Sequence, residues 1–358
     1  MFDKRYCRLV WALTVLSLGF LAIWQMSGCP GPPPIKERHH GLPLLTPNKY
    51  QPILLNNITS VSVPYRLNLL QSIDFSKLID LEDFSFTTSV NICNSSYPLV
   101  ITLIHSAPNH FEYRRRIRLT WGLPLDLVFL VGETNSTEER EKIDTEIREY
   151  GDIVQGTFVD AYRNLTYKHI MGLKWISYRC PGARYILKTD DDIFVNTPYL
   201  MEMLKHDLSP LGGRRLILCN VMEGVRAKRT YRSKWRVSPL EYPDRWYPNY
   251  CAGWVILYTP DVVFTLYNEA QRRPYFWIDD VHITGTLVAL TNFTHTDISE
   301  LSEIKSNEID NVIANGGPVE FLFGLVNNEQ FTKLWDLVLK TQTSLPSLIT
   351  SNTFKTQT

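Results

Sequence analysis

An α/β domain built on a mostly parallel sheet is the fold this sequence predicts, and three observations lead to it. Short apolar runs alternate with longer amphipathic ones through the body of the chain, the pattern of strands joined by crossover helices. One of those runs, Tyr185 to Thr189, breaks into three consecutive carboxylates, Asp190, Asp191 and Asp192, and then turns apolar again. Acids leaving the C-terminal end of a strand sit where open α/β sheets bind ligands. The third observation is length: 358 residues accommodate one domain of about 250 residues with a sizeable core, together with appended segments.

Taken in order, residues 1–8 carry Lys4, Arg5 and Arg8 and read as a cytoplasmic tail. Residues 9–26 are uncharged and mostly apolar, with Trp11 and Trp24 near the ends; at about 1.5 Å per residue they reach roughly 27 Å, enough for a thin bilayer. The basic flank stays in the cytosol, so the stretch is a signal anchor with the remainder luminal. A cleaved signal peptide is the rival reading, opposed by the length and by Ser27-Gly28-Cys29-Pro30 in place of a small-x-small site. Residues 27–92 are rich in proline and lack periodicity, as a luminal stem would; their later part, Arg66 to Phe86, is more apolar and able to pack on the domain. The folded domain then spans 93–345 and a C-terminal tail 346–358.

Sequons at Asn57, Asn94, Asn135, Asn164 and Asn292 agree with a luminal location. Cys93, Cys180, Cys219 and Cys251 lie in the body, where an oxidising lumen permits three complete pairings, and buried free thiols are the alternative. Formal charge is balanced, so nothing favours nucleic acid as a partner. Within the domain, Leu99 to His105 and Leu127 to Val131 read as buried strands, and Ser136 to Tyr150 as a charged helix. Tyr167, Ile170, Leu173 and Ile176 mark a further helix ending near Cys180-Pro181-Gly182.

Three adjacent acids repel one another, and a divalent cation relieves the repulsion. Oxygen-only ligation suits Mg²⁺ or Mn²⁺, which keep positions open for water and phosphate. A solvated acidic turn is the plain alternative. His295 is a candidate to complete the shell with one imidazole. The Arg114, Arg115, Arg116, Arg118 run reads as a solvated basic helix face unless a ligand claims it.

Five segments occur in a familiar order: Arg116-Ile117-Arg118-Leu119-Thr120-Trp121, Asp160 to Lys168, the acidic strand, Tyr247-Pro248-Asn249-Tyr250, and Ile278-Asp279-Asp280-Val281. In these the chain, over roughly Pro98 to Asn292, resembles the β-1,3-glycosyltransferases that include β-1,3-galactosyltransferases and β-1,3-N-acetylglucosaminyltransferases. The resemblance implies a GT-A, nucleotide-sugar-binding, Rossmann-like fold in a single-pass type II protein of the Golgi membrane. It also implies inverting transfer from a UDP-sugar to a glycan acceptor on protein or lipid. By the same resemblance Asp192 is the direct metal ligand, Asp190 holds the ribose or a metal-bound water, and Arg118 and Lys168 serve the donor, Lys168 otherwise closing a salt bridge. Asp191 points away, since neighbours on an extended chain face opposite sides. Inversion needs a base for the acceptor hydroxyl; Asp280, with Asp279 beside it, follows the aromatic run Tyr275-Phe276-Trp277 and matches the family acid. Capping of a helix that starts near Val281 is the structural alternative.

The chain departs from the family pattern at Asp279, where many members have Glu, at Gly285, one position later than usual, and at Val255, where a second Gly is usual. The expected function is transfer of a hexose, galactose first, to a 3-hydroxyl in β-1,3 linkage. N-acetylglucosamine is the alternative donor sugar, and a catalytically inactive luminal glycan-binding or chaperone relative is the alternative class.

Overall fold

A computed structural model describes residues 74–93, 97–303 and 305–344. The tail, the proposed anchor, the stem as far as residue 73, residues 346–358, and the sequons at Asn57 and Asn94 lie outside the described residues. Within those described, no helix is long and apolar enough to cross a membrane.

The chain builds an eight-stranded sheet in the order β1-β4-β3-β2-β5-β8-β7-β9. These strands are β1 (Phe86–Thr88), β2 (Val100–His105), β3 (Asp126–Glu133), β4 (Ile153–Val159), β5 (Tyr185–Asp190), β7 (Ile217–Met222), β8 (Tyr250–Tyr258) and β9 (His295–Asp297). Strands β4, β3, β2 and β5 run parallel, as the apolar runs predict. β8 then reverses against β5 and β7 reverses again, while β1 adds an antiparallel edge. The sheet is therefore mixed.

Alternation along each strand feeds two cores. Ile101, Leu103, Val128, Leu130, Ile186, Ile256 and Tyr258 face one side, against helices α3 (Leu165–Arg179) and α5 (Pro260–Ala270). Val100, Ile104, Phe129, Leu187, Val255 and Leu257 face the other, against α1 (Phe111–Leu119), α2 (Thr137–Tyr150) and α4 (Thr197–Glu202). Two C-terminal helices, α6 (Ser306–Asn315) and α7 (Asn328–Ser344), close that second face. α2 begins where expected, with Ser136 Oγ accepting from Glu139 N–H, and ends at Gly151 in the left-handed conformation.

The domain starts earlier than residue 93. Leu78, Ile79, Phe84 and Val90 are buried in the first core, and β1 pairs with β4. Lys174 on α3 is fully buried, with its ammonium donating to the Asp74 and Lys77 carbonyls and lying among the rings of Phe75, Phe84, Tyr178 and Tyr267. A disulfide joins Cys93 to Cys180 at the C-terminus of α3; closing an 87-residue separation restricts the unfolded chain by about 4–5 kcal/mol. This cover explains why α3 is buried on every side from Thr166 to Ser177 rather than on one stripe.

The second disulfide, Cys219–Cys251, ties β7 to β8 at the base of a long excursion, residues 223–249. A smaller sheet, β10 (Ser302–Glu303), β11 (Phe323–Leu325) and β6 (Ile193–Val195), stands at the end of β5. Asp191 and Asp192 are the link between the two sheets.

Candidate active site

Strand β5 lies fully inside the sheet, and its last residue, Asp190, pairs in register with His105 at the end of β2. Period two sends Lys188 and Asp190 to the α3 side, where Lys188 Nζ donates to Asp190 Oδ1 at 2.7 Å and also to the Gly253 carbonyl. Asp191 turns to the opposite side. There its Oδ2 accepts from Ser106 Oγ at 2.6 Å and from His110 Nδ1 at 2.9 Å. That hydrogen bond raises His110 above its ordinary value, against the effect of burial. Asp192 is exposed and makes no ion pair with any described residue. The three acids are thus splayed, and the protein itself compensates two of them.

Asp192 is left uncompensated, and Asp190 is only partly offset by Lys188. Asp190 has 38% of its side chain open to solvent. Loss of water raises its carboxyl to about 6 against the pull of Lys188, with Asp192 and Asp279 adding to the rise. Asp192 is raised as well, by burial and then by Asp191. Two mutually destabilised carboxylates at an open surface, offering oxygen alone, fit a hard divalent ion. No group of three or more His, Cys, Asp or Glu converges into a cage among the described residues.

Asp279 and Asp280 precede the widely wound helical segment Val281–Leu287, and their surroundings differ. Asp279 Oδ2 meets His169 Nδ1 at 3.2 Å, while His169 Nε2 lies 3.3 Å from the Tyr258 hydroxyl. Burial alone would raise Asp279, but the His169 hydrogen bond and the Lys188 charge outweigh it and the net shift is downward. Burial also lowers His169, leaving a neutral ring. A consistent proton order has Tyr258 donating to Nε2 and Nδ1–H donating to Asp279. Asp280 is raised to about 7 by burial and then by the charge of Asp279, although backbone N–H groups of Val281 and Gly253 oppose the rise. One of its oxygens accepts from Val281 N–H at 2.8 Å, so capping and a second role coexist.

Gly253 makes room for that carboxylate. A Cβ there would stand 3.1 Å from Asp280 Cβ and 3.5 Å from Oδ2. Around Gly253 the pairing of β8 with β7 slips, from Cys219↔Ile256 to Val221↔Cys251, whereas Val255 stays in register with Thr189 and by ordinary alternation with Ile256 faces the other side. Val255 is fully buried in the second core. Its departure from Gly therefore does not touch the acid-lined side.

The structure redistributes the remaining sequence candidates. Arg118 does not reach the acids. Its Nε and Nη2 donate to Asp152 and its Nη1 to Glu146, all at 2.6–2.7 Å, and the guanidinium lies over Phe129 and Tyr150. With those donors engaged, it locks α1 to α2 and to the start of β4. The arginine linked to the acids is Arg114, fully buried, which grips Glu146 through two nitrogens and donates to Ser106 Oγ at 2.9 Å, the hydroxyl that holds Asp191. Lys168 closes the salt bridge. Its ammonium lies 2.8 Å from Asp160 and donates to the Ser106 carbonyl at 2.6 Å, bracing the rim of the sheet.

His295 is far from the acids. It pairs with Ile217, which pairs through Tyr258 with Ile186, four residues before Asp190 and three strands away. Its Nε2 is engaged with the Thr284 carbonyl at 2.6 Å. Lys188, His169 and Tyr258, which hold the acids or their partner, are not among the sequence candidates. Only Lys188 left a signal, as a charge inside an otherwise apolar strand on the same face as Asp190.

The galactosyltransferase family model matches residues 112–299, a span that runs from α1 through β9. Beta-1,3-galactosyltransferase 5 of Gorilla gorilla gorilla is 35% identical over 198 residues, 53% of this chain and 65% of that protein. Beta-1,3-galactosyltransferase 2 of Homo sapiens is 34% identical over 209 residues, 55% of this chain and 49% of that protein. The chain covers less than two thirds of the length of each. A solved glycosyltransferase involved in glycosylation of the major capsid of PBCV-1 aligns over 68% of this chain and 100% of that one, at 10% identity and a TM-score of 0.35.

Proposed function

Because this chain belongs to the galactosyltransferase family, we propose that it is an inverting hexosyltransferase of the GT-A type. The reaction moves galactose from UDP-galactose to the 3-hydroxyl of a glycan acceptor in β-1,3 linkage. The observation that carries this reading is the gathering of carboxylates at the end of β5: Asp190 feels the charges of Asp192 and Asp279, and Asp279 in turn acts on Asp280. Asp192 and Asp190 would hold Mn²⁺ or Mg²⁺, which when bound offsets the charge that grows on the departing diphosphate. Asp280, with its raised affinity for a proton, takes that proton from the acceptor hydroxyl as the oxygen attacks the anomeric carbon. The bond from that carbon to UDP breaks on the opposite face. Asp279, kept ionised by His169 and Lys188, helps to raise the basicity of Asp280, in the manner of carboxylate pairs whose environments drive them apart.

The burial of Val255 on the far face and the retention of all four acids support an active enzyme over an inactive relative. Type II insertion in the Golgi membrane through residues 9–26 completes the proposal. The deciding experiment incubates the full chain and Mn²⁺ with a panel of UDP-sugars and simple glycosides. β-1,3-linked galactose is the expected product. Transfer of N-acetylglucosamine alone would reassign the donor, and transfer of glucuronic acid alone would sink both versions.

A further inference from the structure

The chain is electrically balanced as a whole, but the excursion beside the carboxylates is not. Residues 223–249 hold seven Lys or Arg against three Asp or Glu, a net charge of +4. Part of that charge is committed locally: Arg229 donates to the carbonyls of Val237, Tyr242 and Asp244. Of the acids, Glu241 is engaged by Arg163 and by Ser238 N–H. Arg232, Lys234 and Arg236 form no ion pair with any described carboxylate, and the buried Nε of Arg236 has no acceptor.

Two of them lie instead over aromatic rings, while Arg232, two residues before Lys234, is exposed. Lys234 Nζ is 4.6 Å from the centre of Trp235 and 5.8 Å from that of Tyr162, and the Arg236 guanidinium is 4.0 Å over Tyr231. The rings face solvent, Tyr231 at 87% exposure, Tyr162 at 50% and Trp235 at 46%. Trp235 Nε1 donates to the Tyr162 hydroxyl at 2.8 Å, which joins two rings into one platform. That platform is continuous with the reacting end. Tyr162 packs against Trp277 at 6.3 Å, two residues before Asp279.

Flat exposed rings offer apolar area at low entropic cost and suit the faces of sugars, while cations seated beside them keep donors free for an anion. We propose that the platform of Tyr162 and Trp235, with Arg232, Lys234 and Arg236, binds an anionic glycan, so that the acceptor carries a sulfate or carboxylate on a sugar next to the one extended. This rests on the transferase reading for the word acceptor. Continuity with Asp280, where the acceptor hydroxyl must arrive, favours a sugar chain over a lipid surface.

The test uses the full chain with two probes, a neutral oligosaccharide and the same oligosaccharide bearing one sulfate on its penultimate sugar. Transfer from UDP-galactose is measured for both, and tryptophan fluorescence is titrated with both in the absence of donor. The sulfated probe is expected to bind about 3- to 10-fold more tightly, with an advantage that shrinks as salt is added. Arg232→Ser combined with Lys234→Ser should erase the difference, and the charge-preserving pair Arg232→Lys with Lys234→Arg should retain it.

Equal Kd for the two probes, or a preference that survives the serine pair, overturns the proposal even if galactose is transferred normally. A salt-sensitive preference in the titration with no transfer to either probe upholds the anionic site and removes the transferase reading. Binding to phosphatidylserine vesicles that the serine pair abolishes, with no preference between the glycans, would give the platform to lipid and overturn the proposal.

Discussion

Asp279 and Asp280 are adjacent carboxylates with opposite proton affinities, and the difference sets an order of sensitivity. Asp280→Asn keeps the shape but accepts no proton, so transfer should fall by about 10² to 10⁴ while UDP binding changes little. Asp279→Asn should be milder in rate and distinctive in pH. Asp280 works only when deprotonated, so the rate should rise with pH through its raised value near 7. Removing the charge of Asp279 removes one cause of that rise, and the acidic limb should move to lower pH. A limb that stays in place would exclude electrostatic coupling between the two. Asp192→Ala should abolish transfer and Mn²⁺ binding while leaving the melting temperature unchanged, since the exposed carboxylate serves no partner in the core. Chelation should mimic it, and a fully active chelated enzyme would return the acidic turn to a surface role. Arg118 allows the reverse test. Arg118→Met should lower stability by about 3–5 kcal/mol, leaving Asp152 and Glu146 short of a buried counterion, with KM for the donor unaltered. The place of the acids at a strand end was legible because an apolar run leads directly into them. A motif arginine looks the same in sequence whether it meets a ligand or a carboxylate 34 residues away, and that is why the ion pairs of Arg118 with Asp152 and Glu146 were not legible.

At the scale of elements, helix α3 shows what periodicity conceals. The recurrence of Tyr167, Ile170, Leu173 and Ile176 marks one buried stripe, yet the opposite side is covered by residues 74–93, which composition assigns to a stem. Lys174 is the charge that makes this cover possible. Burial lowers its ammonium to about 8 against the attraction of Asp74, so the folded state releases a proton more readily than the unfolded chain. Its contribution therefore runs in one direction: stability should rise between pH 8 and about 10.5, where the unfolded chain alone still holds that proton. Lys174→Met should abolish this rise and lower stability by about 1–3 kcal/mol, because the Asp74 and Lys77 carbonyls lose their donor. Hydrogen exchange in 74–93 should accelerate first. Unchanged protection there would mean that β1 and the Cys93–Cys180 bond hold the segment without the lysine.

For the whole molecule, the parallel half of the sheet was readable and the mixed half was not. A buried strand is an apolar run whichever way it points, so the reversals at β8 and β7 leave no mark in sequence. The two- and three-residue strands β10, β11 and β6 are shorter than any alternation that could reveal them. His295 was misplaced for the same reason: without the order of strands, a histidine downstream of the base could stand at either end of the sheet. The same topology has a consequence for synthesis. The turn bearing Asp191 and Asp192 is fixed at its far side by β6, whose partner β11 pairs Phe323 with Val195, 128 residues earlier. A ribosome delivers the acids long before it delivers the strand that anchors them. Closing so long a loop comes late. In pulse-labelled refolding, the amides of β2 and β5 should become protected before those of Ile193–Val195, and simultaneous protection would refute this order. A chain caught between the two stages would already own its main core and lack the anchored turn that holds Asp191 and Asp192. A newly made molecule would thus pass through a folded interval whose end is set by the arrival of β11.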